Sequence, residues 1–387
     1  MLLPDLSLYV HIPWCIKKCP YCDFNSHAIT KNDIPEDEYI NALVNDLIHD
    51  LPLVQGRKIT SIFIGGGTPS LLSPKAYKKL LITISKYVDI SDNAEITMEA
   101  NPATCEHYDL IEYINVGINR ISLGVQSFND NQLKNLGRIH NATDAINVAT
   151  TLKNQGFSNF NIDIMYGLQQ QSCKQALADL QQAIDLKPAH ISWYELTIEP
   201  NTIFYSKPPV LPDDSKVIEI QAQGASLLKK NGFNRYEISA YSSIERQSRH
   251  NLNYWMFGDY IGIGAGAHSK ITHKLQNKIV RYWKTRMPNN YLQTFSINSI
   301  IPTNTGSRIL HQEDIIIEFF MNSLRLTKGI DQNIIYQRAE LNYKQLINIC
   351  STAIEKKLLN PIATKNTKVC ATEKGLLFLN DLIETFS

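Results

Sequence analysis

Three of the seven cysteines, Cys15, Cys19 and Cys22, fall within one short turn with the spacing C-x3-C-x2-C. Thiolates are soft, strongly donating ligands that suit zinc or iron-sulfur chemistry, and metal binding drives off their protons. A closed zinc site takes four ligands, commonly from two C-x2-C pairs. Three thiolates from one compact turn are better matched to a cubane cluster with one iron left open to an exchangeable ligand. Two alternatives stand beside this reading: a zinc site completed by His11 or His27, and a group of inert buried cysteines. Cys105, Cys173, Cys350 and Cys370 stand alone in sequence and read as small buried hydrophobes.

A second chemical stretch is Gly65-Gly66-Gly67-Thr68-Pro69, at the end of an apolar run over 58–64. Glycines in that position let backbone amides approach an anion or carboxylate closely. The stretch matches neither G-x-G-x-x-G nor G-x4-G-K-[ST], so the sequence supports no dinucleotide site and no P-loop. Further along, Glu99, Gln126, Arg138 and Asp163 fall at or just beyond the ends of apolar segments. Each alone reads equally well as a solvated or capping residue. A third island runs Arg249-His250-Asn251-Leu252-Asn253-Tyr254-Trp255, and a glycine-rich run over 259–268 closes on His268.

The elements that must position these residues alternate along the chain. Strands are predicted over 7–12, 58–64, 95–100, 120–125, 159–165 and 190–196, with helices after Pro35 and over 141–155 and 172–185. Six strand-then-helix passes argue a parallel sheet with helices outside, and polar residues gather at the strands' C-terminal ends, where barrel-like α/β proteins build their sites. The predicted fold is therefore α/β, a partial (β/α)6 TIM-like barrel. A proline-rich connector over 199–214 precedes a helix over 215–231 and a strand over 235–239. Residues 276–310 read as polar and irregular apart from 289–295. Beyond them come an apolar helix over 311–324, helical segments at 334–338, 343–357 and 372–383, and a strand at 368–371. That pattern suits a small, mostly helical, winged-helix-like domain. The expected division is 1–240 for the barrel core, 241–310 for an extension carrying the His250 island, and 311–387 for the C-terminal domain.

Composition narrows the classes. Thirty-eight Lys and Arg against thirty-seven Asp and Glu give a net charge of +1, so no basic excess points to nucleic acid. The start lacks a secretory pattern, and no apolar window is long enough for a membrane span. A cytoplasmic location is expected, where reducing conditions keep the clustered thiols available as ligands.

The longer string H-I-P-W-C-x3-C-P-Y-C-D-F, from His11 to Phe24, resembles the oxygen-independent coproporphyrinogen III oxidase-like branch of the radical S-adenosylmethionine (SAM) proteins. The resemblance implies a [4Fe-4S] cluster on Cys15, Cys19 and Cys22, with SAM chelating the fourth iron. It implies that Gly66, Gly67 and Thr68 hold the amino-acid end of SAM. Glu99 would meet its ribose or amino group, Gln126 its ribose, Arg138 its carboxylate and Asp163 its ribose hydroxyls, with Tyr9 and Tyr21 flanking the cofactor. H-N-x-x-Y-W at His250 resembles the branch's motif implicated in holding heme, with His268 a weaker candidate; the absence of C-x-x-C-H argues against c-type attachment.

Two functions compete within that branch: radical oxidative decarboxylation of porphyrinogen propionates, and a heme chaperone that hands heme to an acceptor protein. The oxidase carries a longer arm before its cysteine loop and a further cysteine where Phe24 stands here, so the chaperone is expected. Its acceptor would be a respiratory, membrane-bound protein, reached by transient association with the inner membrane face. Coproporphyrinogen oxidation is the alternative, and whether the chain is an enzyme stays open at this point.

Overall fold

The computed structural model describes residues 2–105, 109–296, 306–363 and 368–386. Six parallel strands follow the chain in order: β1 Leu6–Ile12, β2 Ile59–Gly66, β3 Ile90–Ala100, β4 Arg120–Gln126, β5 Phe160–Tyr166 and β6 His190–Glu195. Crossover helices α1 Glu36–Val54, α2 Pro74–Tyr87, α3 Leu110–Asn115, α4 Ala142–Asn154 and α5 Cys173–Asp185 connect them. Alternation in β1 shows why the layers form. Leu6, Leu8, Val10 and Ile12 are buried with the helices in the main hydrophobic core. Ser7, Tyr9 and His11 point to the other face, where Ser7 meets Ser61 and Tyr9 stacks on Phe63. Capping boxes at Asn141 and Ser172 fix where α4 and α5 start.

The sheet is wider than the six expected strands. After α6 Asp214–Lys230, strands β7 Asn234–Glu237 and β8 Ala240–Ser242 continue it antiparallel beyond β6. On the other side, after α7 Arg249–Trp255, the strands are β9 Asp259–Ile263, β10 His268–His273, β11 Lys278–Trp283 and β12 Gly306–Ile309. The order is β12-β11-β10-β9-β1-β2-β3-β4-β5-β6-β8-β7, and β1 is paired in parallel with both β2 and β9. The glycine-rich run over 259–268 therefore supplies a strand of the central sheet as well as a turn. It also corrects the reading of 276–310 as irregular: 278–283 and 306–309 are strands, while 297–305 lie outside the described residues. Two of the charges that make this stretch look like a solvated loop are paired, Arg281 with Glu318 and Lys284 with Asp46 and Asp50.

Beyond residue 311 the chain is mostly helical, led by Gln312–Ser323 and Tyr343–Glu355, with Ile330–Asp331 paired antiparallel to Lys368–Val369. Phe319, Phe320, Leu346, Cys350 and Leu382 centre a second core there, which also takes in Phe257 and Ile279.

Candidate cofactor site at the strand ends

The cysteine loop leaves β1 and is tied down on both flanks. On one side Gly67 N–H donates to Ile12 O (2.7 Å), Thr68 N–H to Trp14 O (2.8 Å) and Thr68 Oγ1 to Cys15 Sγ (3.3 Å). Only glycine fits at 67, because a Cβ there would lie 2.5 Å from Trp14 O. On the other side the Asn25 amide donates to Ala265 O (2.9 Å) and Arg286 O (2.8 Å). Gly266, at φ +79°, leaves room for that amide.

A cavity opens beneath the loop. Its lining includes Cys15, Cys19 and Cys22 at one end and Glu99, Gln126, Arg138 and Asp163 across from them. Burial raises the Cys15 and Cys22 thiols above their ordinary range, so iron must displace protons there. Arg138 donates to Gly124 O (2.6 Å) and reaches Cys19 Sγ at 3.8 Å, and its Nε is buried without a partner. Glu99 accepts from Gly66 N–H (3.2 Å); burial first, and then the charge of Asp163, push its carboxyl up to about 8. Asp163 is half-buried, accepting from Ser122 (3.0 Å) and Asn161 (2.8 Å). Gln126 takes a left-handed backbone (φ 73°) and accepts from Tyr194 Oη (2.7 Å). A non-glycine residue held there is the kind of strain that folded proteins keep at working sites.

These residues fit the groups that the sequence implies. Among the described residues no three His, Cys, Asp or Glu side chains are grouped as a single metal ion needs. His11 is already engaged, Nδ1 with Tyr9 Oη (3.0 Å) and Nε2 with Asn25 O (2.8 Å), which disfavours it as a zinc ligand. The three thiols instead line the same cavity. Two half-buried carboxylates in one cavity, with a guanidinium whose Nε has no partner, are complementary to a ligand that brings an amino group, hydroxyls and a carboxylate.

Eight of the sequence-derived contacts, Tyr21, Gly66, Gly67, Thr68, Glu99, Gln126, Arg138 and Asp163, line this cavity together with the three cysteines. Tyr9 does not. It is half-buried, bonded to His11 and stacked on Phe63. His250 lies elsewhere. Its Nδ1 bonds Ser61 Oγ (3.0 Å) near the start of β2, its ring stacks on Phe63 at 5.1 Å, and Glu95 accepts its backbone N–H. Burial, with Arg120 adding to it, lowers its imidazole to about 3. The side chain is 3% exposed and its Nε2 is enclosed, so the expected role as an axial heme ligand finds no open approach in this conformation. Sequence reasoning passed over Ser26, Ser122, Ser192 and Tyr194, which also line the cavity. Period-two alternation inward from Asp163 and Gly124 was the available signal.

Parallel strands in sequence order, a three-cysteine loop at the end of β1 and a glycine turn at the end of β2 define a protein of the radical SAM class. The model of the Radical SAM superfamily matches residues 9–180. Over 389 residues the chain is 47% identical to the heme chaperone HemW of Escherichia coli K12, covering 99% of this chain and 98% of that one. It is 31% identical to the heme chaperone HemW of Bacillus subtilis, with 98% of each covered. The chain belongs to the HemW family of the radical SAM superfamily. The structure of coproporphyrinogen III oxidase (HemN) from Escherichia coli superimposes with a TM-score of 0.80 over 99% of this chain and 90% of that one. At 22% identity that match speaks for the fold. No helix among the described residues is long and apolar enough to cross a membrane.

Proposed function

We propose that this protein binds heme and passes it to an acceptor protein, and that it carries a [4Fe-4S] cluster on Cys15, Cys19 and Cys22 with SAM as the exchangeable ligand of the open iron. The observation that carries the reading is kinship at 47% identity across nearly the whole chain to proteins named as heme chaperones, joined to a cavity with the chemistry of a cluster and its aminoacyl ligand. In that cavity Arg138 would face the ligand's carboxylate, Glu99 its amino N–H groups, and Asp163 and Gln126 its ribose. SAM supplies the open iron with an amino and a carboxylate donor; the protein's residues bind and orient it. Heme is cargo.

The test is anaerobic reconstitution followed by parallel incubation with hemin and with coproporphyrinogen III. Stable hemin binding without decarboxylation of the porphyrinogen is the expected result, and turnover to a decarboxylated product would replace this reading with the oxidase.

Glu99 makes SAM binding depend on pH. The N–H groups of an arriving amine favour the ionised carboxylate, whereas the ligand-free group holds its proton up to about pH 8. Below that pH binding must expel this proton as well as the one the amine gives up to reach iron, so Glu99 adds up to about a tenfold rise in affinity per pH unit, a contribution that flattens above it. Calorimetry of the reconstituted protein in buffers of differing ionisation enthalpy should show about one more proton released per SAM near neutral pH than Glu99→Gln releases. Glu99→Gln should bind more weakly and lose that proton; an unchanged proton count would remove Glu99 from the amine's side.

A further inference from the structure

The flank of the cysteine loop away from the glycine turn carries an exposed group of side chains with a different chemistry. His268 opens β10 and stands directly opposite Trp283, the last residue of β11. Opposed residues on antiparallel strands have Cβ atoms about 5 Å apart, so imidazole and indole share one face. His268 is exposed, and its ring makes no hydrogen bond among the described residues. Trp283 is 39% exposed although Gly306 lies against its ring, and Met287 is 53% exposed. Arg286, also exposed, pairs with no carboxylate among the described residues.

Two contacts join this group to the cysteine loop. Asn25 bonds the carbonyls of Ala265 and Arg286, and its neighbour Phe24 stands 61% exposed. Lys18 Nζ donates to Phe24 O (3.0 Å), bringing a second cation to the same rim. An open imidazole, flat aromatic faces and two cations form a set complementary to a planar, iron-bearing macrocycle with two carboxylates.

We propose that heme docks on this rim, with His268 as its axial ligand, Trp283 and Phe24 against the macrocycle, and Arg286 and Lys18 facing the propionates. The proposal rests on the heme-binding reading above and gives that cargo a place beside the cluster loop, apart from the enclosed His250. Burial, and then the charges of Arg281 and Arg286, lower the His268 imidazole below its ordinary range. It is therefore the free base at neutral pH, the form that ligates iron.

The test uses full-length, cluster-reconstituted protein titrated anaerobically with hemin and followed at the Soret band. In His268→Ala, hemin affinity should fall by about tenfold or more, and the imidazole-ligated spectrum should disappear and return on adding free imidazole. Iron and sulfide content should stay at the unsubstituted level, which reports an intact loop. In His268→Cys the Soret band should move to a thiolate-ligated position. Unchanged affinity and spectrum in both variants would overturn the His268 assignment alone. Failure of the unsubstituted protein to bind hemin would overturn that assignment and the chaperone reading together.

Discussion

Cys19→Ala is expected to leave the protein unable to retain an iron-sulfur cluster, with iron and acid-labile sulfide after anaerobic reconstitution down by at least about tenfold. Cys15→Ala and Cys22→Ala should behave alike, because each removes one of three donors that a single turn supplies. No nearby thiol can substitute. Cys105 is half-buried with Sγ on Asn101 O and its thiol pushed up to about 12, and Cys350 sits in the C-terminal core, also at about 12. Desolvation that stabilises the neutral thiol makes both poor ligands. Cys173→Ala, at the start of α5, serves as the control and should keep full iron content. Retention of iron and sulfide by any of the three loop variants would disprove the ligand assignment.

Lys284→Met should have the largest effect on stability. Lys284 is 2% exposed and bridges Asp46 (2.6 Å) and Asp50 (2.7 Å), both on α1. Removing one member of a buried ionic group leaves uncompensated charge and costs about 3–5 kcal/mol. Here two buried carboxylates would be left facing each other. Even with Lys284 present, burial holds Asp46 up at about 6, and losing the ammonium raises it further. A carboxyl raised in the folded state binds more protons there than when unfolded. Stability is therefore greatest at low pH and is lost as pH rises through the window from about 4 to the raised value. Urea unfolding of the variant should accordingly show a deficit at pH 8 that shrinks towards pH 5. A midpoint that is unchanged, or that falls on acidification, would contradict the pairing. The same variant should also weaken the cluster loop, since Asp46 accepts from Gly264 N–H (3.1 Å) in the turn against which Asn25 rests.

What the sequence made legible was whatever is encoded locally. The cysteine loop and the glycine turn could be read because their donors are neighbours in the chain, and the strands before them because Leu, Val and Ile alternate or run on. Arg138 was different. It sits beyond β4 and reaches Cys19 across the cavity, so only the resemblance pointed to it. Ser192 and Tyr194 were missed because H-I-S-W-Y-E reads as a strand with no chemical emphasis, and their role appears only when β6 faces β4. His250 is a residue with conspicuous chemistry whose enclosure against Ser61 and Phe63 the sequence does not show. The strand Lys278–Trp283 escaped notice because the charge of its Arg281 is neutralised by Glu318, far away in sequence, which composition cannot show.

The double anchoring of the cysteine loop bears on when the site can exist during synthesis. Asn25 is held by carbonyls 240 and 261 residues further along the chain. Translation proceeds from the N-terminus, so the loop emerges ahead of its second anchor and waits for 240 further residues before that anchor can be made. Until then it hangs from β1 with three free thiols exposed to oxidants and adventitious metals. Iron-sulfur loading therefore belongs after the ribosome has delivered the β9–β11 region, and a truncated nascent chain ending before residue 265 would present the complete C-x3-C-x2-C sequence without its clamp.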